Sequence, residues 1–170
     1  MNQINIGESI LYMGKKQTYR NMALIHYNHL QNAVTDCIKN NHAIEKQQEV
    51  IAYTFSTLAC IVAYADNYPF NEMSESILAC KYAYNMLKHN ADVITFVEFK
   101  GGSQFPMEFP VEFPKFEVKW EFQDFNCYHD DQKEAFKELF DDKKVIETLM
   151  PIMNGINNFD LFEKENQDGN

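Results

Sequence analysis

The chain has no C-x-x-C pair, no Gly-rich phosphate loop of either the G-x-x-x-x-G-K or the G-x-G-x-x-G kind, no G-x-S-x-G elbow and no H-E-x-x-H helix. Each absence removes a class. Without a glycine loop opening a helix there is no ready cradle for nucleotide phosphates, and without an elbow or an evidently activated cysteine nucleophilic hydrolysis has no support. The cysteines Cys37, Cys60, Cys80 and Cys127 stand far apart, three of them inside apolar helical patterns, so buried free thiols are expected and not a metal knuckle or a disulfide frame. The first residues, Met-Asn-Gln-Ile-Asn-Ile-Gly-Glu, do not form a basic start followed by an apolar run, and a cytoplasmic location is expected. The longest uncharged stretch, Val50–Ala65, is shorter than the roughly 20 residues of a membrane span and carries Tyr53, Thr54, Ser56, Thr57 and Tyr64. It reads as the central helix of a core, and no membrane is expected as a partner.

What the chain has in excess is acid, and all of the excess lies in one half. Met1–Ala91 holds seven Lys and Arg against seven Asp and Glu. The formal net charge of −10 therefore belongs entirely to the remainder, where 18 acids face 8 lysines. Such a half repels a nucleic-acid backbone and attracts a basic protein surface. Hydrophobic and charged fractions of 45% and 24% are those of an ordinary globular chain.

The patterns predict an α+β fold: a three-helix N-terminal bundle, a small antiparallel sheet and C-terminal closing helices, since helices and strands are segregated along the chain. The expected domain spans 1–162, with a helical part over 14–90, a β-rich acidic part over 91–128 and closing helices over 130–162; 163–170 is expected as a mobile tail. Residues 1–13 are weakly patterned and read as a short arm or strand. Helices are predicted over about 16–40, 43–67 and 71–89 from apolar residues at the helical period, such as Tyr19, Ala23, Tyr27, Leu30, Val34 and Cys37 in the first. The second becomes apolar on nearly every side, which predicts burial on every side. From Asp92 to Phe99 the residues are β-branched and aromatic, and Lys115–Phe122 alternates, with Phe116, Val118, Trp120 and Phe122 toward the core and Glu117, Lys119 and Glu121 toward water. Between them Phe105–Phe116 repeats a Phe-Pro unit, and Pro106, Pro110 and Pro114 confine it to an edge strand, an extended segment or a loop. Asp131-Gln-Lys-Glu134 fits a capping box, and Pro151 predicts a kink in the last helix.

Two constellations carry chemistry. His26 and His29 sit three apart on a helix and share a face, a weak two-ligand start for a metal site that would need help from His42, Asp36 or His89. No metal or other cofactor is expected. Asp130–Asp142 resembles the entering helix of a calcium loop only as far as Lys143-Lys144, where oxygen ligands should begin and do not. The second constellation interleaves acids with rings: Glu98, Glu108, Phe109, Glu112, Phe113, Glu117, Glu121, Asp124, Asp130 and Asp131 are the expected partner-binding residues. They predict a non-enzymatic binding or inhibitor protein for a basic protein partner. The nucleic-acid-binding face of another protein is the kind of surface that such carboxylates would occupy in place of phosphates. The alternatives are a metal-dependent enzyme built on His26 and His29, and a structural subunit that uses the Phe-Pro repeat as an oligomer contact.

Overall fold

A computed structural model of the chain describes residues 6–68, 73–89, 92–102, 112–124 and 129–167. The elements are five helices and two strands: α1 (Ile6–Lys39), α2 (Ile44–Asn67), α3 (Ser74–Lys88), β1 (Ile94–Gly102), β2 (Glu112–Trp120), α4 (Asp130–Leu139) and α5 (Val145–Gln167). This is an α+β fold in which α1, α2 and α3 pack together, as the segregation of patterns predicts.

Helix α1 buries one stripe, Ala23, Tyr27, Leu30, Val34 and Cys37, at the helical period. It begins at Ile6, not near residue 16 as expected, so residues 6–13 are helix and neither arm nor strand. Their weak pattern hides a helix because extending an existing helix costs little once a turn has formed. The helix ends by dropping Asn41 and His42 into the left-handed region, with φ of 51° and 57°. The Asn41 amide donates to Ile38 O at 3.2 Å and the His42 amide to Cys37 O at 2.9 Å, which satisfies carbonyls that the helix end exposes. The turn sends α2 back along α1, where His29 stacks on Tyr53 at 5.2 Å between ring centroids. Helix α3 follows on the other side of α2, and Phe55 stacks on Tyr84 at 5.2 Å.

β1 and β2 pair antiparallel from Ile94↔Trp120 to Gly102↔Glu112. Pro114 stands opposite Lys100, which a two-stranded sheet accepts because each strand keeps an open edge. The rest of the Phe-Pro repeat, 105–111, lies outside the described residues. The turn between α4 and α5 then lies along the end of β2: Trp120 N donates to Lys143 O at 2.9 Å and Asp142 N to Trp120 O at 3.1 Å. That return places Trp120, fully buried, against Phe140 at 5.2 Å and edge-on to Phe136 at 5.9 Å. Tyr82 of α3 meets Phe136 at 5.0 Å and donates its hydroxyl to Gln123 O at 2.7 Å. One aromatic cluster thereby joins α3, β2 and α4.

Three local expectations are corrected. The N-cap of α4 is His129, with no side-chain cap bond; Asp131 Oδ1 instead accepts from the Gln132 amide, so the capping box does not form. Helix α2 is not covered on every side: Ile51 and Ala52 are exposed and Phe55, Ala59 and Val62 half-exposed. Glu117 and Lys119, expected in water, have side chains only 11% and 16% exposed. Pro151 lies inside α5, which continues past it to Gln167.

Candidate functional site

The expected site residues do not share one environment. Glu117 is drawn into a charged cluster where α5 begins. Its carboxylate stands 3.6 Å from Lys144 Nζ and 3.8 Å from Lys119 Nζ, while Lys119 also reaches Asp142 at 3.0 Å and Lys144 reaches Glu147 at 3.0 Å. The carboxylates of Glu147 and Glu117 hold the Lys144 ammonium above the ordinary lysine range. Asp124 is paired as well: its Oδ1 accepts from Lys133 Nζ, and this bond holds the Asp124 carboxyl below the ordinary range. Two of the ten expected residues are thus compensated inside the molecule.

Rings of the acidic half turn inward, as the alternation of β2 predicts for Phe116, Trp120 and Phe122. Trp120 is fully buried, and Phe96, Phe116 and Phe122 are half-buried. The Lys137 ammonium lies 4.3 Å from the Phe122 ring centre and the Lys133 ammonium 5.8 Å, a cation–π arrangement that covers the ring's outer side. Among the described side chains of the acidic half, the exposed phenyl ring is Phe99, 40% accessible, beside exposed Glu98. Glu108 and Phe109 lie outside the described residues; Glu112 and Phe113 belong to β2 by backbone.

Asp130 and Asp131 behave differently, because helix geometry adds to them. Successive residues turn by about 100°, so Asp130, Glu134, Glu138 and Asp131 fall within a sector of about 100°. All four are exposed, and none enters a salt bridge among the described residues. Ala135, Phe136 and Leu139 occupy the sector facing the core, and Lys133 and Lys137 the remaining one, over Phe122. The helix is therefore split three ways: core, lysines turned onto a ring, and carboxylates in water. Asp130 and Asp131 at its first turn also suit the positive end of the helix dipole. Glu121, exposed, stands at the end of the adjoining strand. Glu134 and Glu138 were not among the expected site residues, although the i, i+4, i+8 spacing from Asp130 is visible in the sequence.

The histidines do not assemble a metal centre among the described residues, where no three His, Cys, Asp or Glu come together. His29 is occupied in its stack on Tyr53, and the buried His26 Nδ1 has no hydrogen-bond partner. His42 is 8% exposed and edge-on to Phe116 at 4.7 Å and Phe96 at 5.5 Å. Burial lowers its imidazole below the ordinary range, with Glu98 pulling the other way. Cys37, Cys60 and Cys80 are buried free thiols, and burial raises the pKa of each. Cys127 lies outside the described residues.

Surface hollows lined by described residues include two. One, of about 360 Å³, lies between α1, β2 and α5 and is lined by Val34, Ile38, Phe116 and Ile146 with the Glu117–Lys144 cluster at its rim. The other, of about 420 Å³, lies between α2 and α3 and is lined by Ile51, Ala52, Phe55 and Leu87 with Gln48 and Lys88. No protein-family model matches the chain, and neither curated proteins nor solved structures give a match to it.

Proposed function

We propose that this chain is a non-enzymatic binding protein whose α4 presents a band of carboxylates to a basic protein partner. The observation that carries the reading is the three-way split of α4. Asp130, Asp131, Glu134 and Glu138 share one exposed sector without salt bridges among the described residues, while the two lysines of the same helix are turned onto Phe122 and Asp124. Carboxylates held on a helix need no ordering of a loop when a partner docks, so less conformational entropy is lost on binding. Their field adds to the excess acid of this half and speeds encounter with a positive surface. A partner whose basic face otherwise holds nucleic acid fits this charge, the carboxylates standing where phosphates would. Glu121 and Glu98 are exposed as well, and Phe99 is the phenyl ring best exposed to add apolar contact.

The test is capture of a partner from the source cells by immobilised protein, with two sets of variants. Asp130→Asn, Asp131→Asn, Glu134→Gln and Glu138→Gln together remove the band; Glu117→Gln with Asp124→Asn removes acids already compensated within the molecule. The partner should be lost at least tenfold by the first set, kept by the second, and released from wild type as NaCl rises from 50 to 500 mM. Capture that ignores both salt and the first set would refute the reading.

A further inference from the structure

We infer that two copies of this chain associate through the open face of the N-terminal helical layer, α2 packing antiparallel on α2 of the second copy. This inference is independent of the acidic band, which lies on another element. It starts from where the apolar side chains remain in water. Among the described residues, four of the six exposed large hydrophobic side chains, Met22 (41%), Ile25 (53%), Ile44 (70%) and Ile51 (37%), belong to α1 and α2. Helix α2 is long and apolar enough to cross a membrane by length and composition, yet only 39% of its most apolar window is buried in the molecule.

The exposure is not scattered. At about 100° per residue, Ala52, Ser56, Ala59 and Ala63 form a row down the middle of the outward side of α2. Ile51, Phe55 and Val62 flank the row toward α3, where Phe55 meets Tyr84 and the 420 Å³ hollow opens beside Leu87. Toward α1 the row is flanked by Tyr53, with His29 on it, and the stripe Met22, Ile25, His29 continues the face along α1. The opposite side of the layer is already covered: Tyr27 donates to Ile146 O of α5, and Ile38 and Val34 face β2 and α5.

Three properties of this face specify a second copy as its occupant. The first is polarity. The one hydroxyl in the central row, that of Ser56, donates to Ala52 O at 2.9 Å, so the row offers no unsatisfied donor to a dry contact. The second is charge. Val50–Ala65 has none, and at its margins Lys46 pairs with Glu49 at 2.9 Å and Lys81 with Asp66 at 2.6 Å. Two molecules of net charge −10 repel one another, and residues 1–91, with no net charge, are where they meet at least cost. The third is area. The 16 uncharged residues Val50–Ala65 span about 24 Å, and a strip about 20 Å wide, two interhelical spacings, covers about 480 Å² on each copy. The total of about 1,000 Å² is the size at which a specific interface begins. Small side chains along the row allow close approach, and a two-fold axis near Ser56 and Ala59 makes the contact self-complementary.

The experiment is mass measurement by light scattering and sedimentation from 1 to 200 µM protein, for the full chain and for Ile51→Lys and Ala59→Glu. Wild type should reach twice the 19.9 kDa chain mass, and the dimer should tighten several-fold from 50 to 500 mM NaCl, because salt screens the mutual repulsion. This is opposite in sign to the salt response of the acidic band, so failure of one reading is separable from failure of the other. Both variants should be monomers at concentrations where wild type is dimeric, with unchanged far-ultraviolet circular dichroism; Glu134→Gln should remain dimeric. A monomer throughout the range, or a dimer that survives both substitutions, overturns the inference. So does binding to phosphatidylcholine vesicles without a dimer in solution, which would make the face a membrane contact.

Discussion

The indole Nε1 of Trp120 donates a 2.7 Å hydrogen bond to the Oγ1 of Thr148, joining the last residue of β2 to the opening turns of α5. Thr148 in turn donates to Val145 O at 3.0 Å, so its hydroxyl both accepts and donates. Thr148→Val keeps the shape, removes the acceptor and leaves a buried indole N–H without a partner, at a cost of about 1–3 kcal/mol. Trp120→Phe adds a cavity to the lost bond and should cost more. Urea unfolding of the two single variants and the double variant should give a double cost below the sum of the singles, because the shared bond is lost only once. Strict additivity would mean that the bond contributes nothing.

His42 couples the α1–α2 turn to the sheet, and acid should weaken that coupling. Burial lowers its folded-state pKa below the 6.5 of an unperturbed imidazole. A base with a depressed folded pKa binds more protons unfolded than folded, so its contribution is complete above about pH 6.5 and declines as pH falls toward the folded value. Asn accepts the left-handed backbone at this position and does not titrate. Chemical denaturation between pH 7.5 and 5 should therefore show a smaller loss of stability in His42→Asn than in wild type. Equal slopes would place the acid sensitivity elsewhere.

Pro151 is exposed and lies inside α5, beyond its first turn. Proline has no amide hydrogen to give the carbonyl of Glu147. Pro151→Ala should raise stability by about 1 kcal/mol or more, the helix gain exceeding the freedom that alanine returns to the unfolded chain. An unchanged urea midpoint would show that α5 accommodates the ring without cost.

The secondary structure was legible wherever a short-range physical rule governs it. The end of α1 follows from Asn40-Asn41, since asparagine tolerates the left-handed turn that stops a helix. The sheet follows from alternation, and Val118 and Trp120 are buried as the pattern requires. The beginning of α1 was not legible, because residues 6–13 are helical without an apolar period to announce it. Nor was the cap of α4, because a short motif that can form a capping box competes with the direction in which the chain arrives.

The candidate site divides along the same line. The carboxylate band of α4 is a consequence of spacing within one helix, and the four-residue intervals between Asp130, Glu134 and Glu138 are enough to produce it. The loss of Glu117 from that surface is not local: it depends on Lys144, 27 positions away, being carried back to β2 by the turn after α4. Asp124 likewise finds Lys133 only because α4 folds over Phe122.

From the amino-acid order alone come the α+β class, the neutral first half and acidic second half, and the presence of one long apolar helix, since each depends on composition or on contacts a few residues apart. Which carboxylates keep their charge in water, and which side of α2 stays uncovered, is decided by packing between segments distant in the chain. Hydrophobicity states what a side chain gains from burial, whereas only the arrangement of the whole molecule states whether a neighbour is there to bury it.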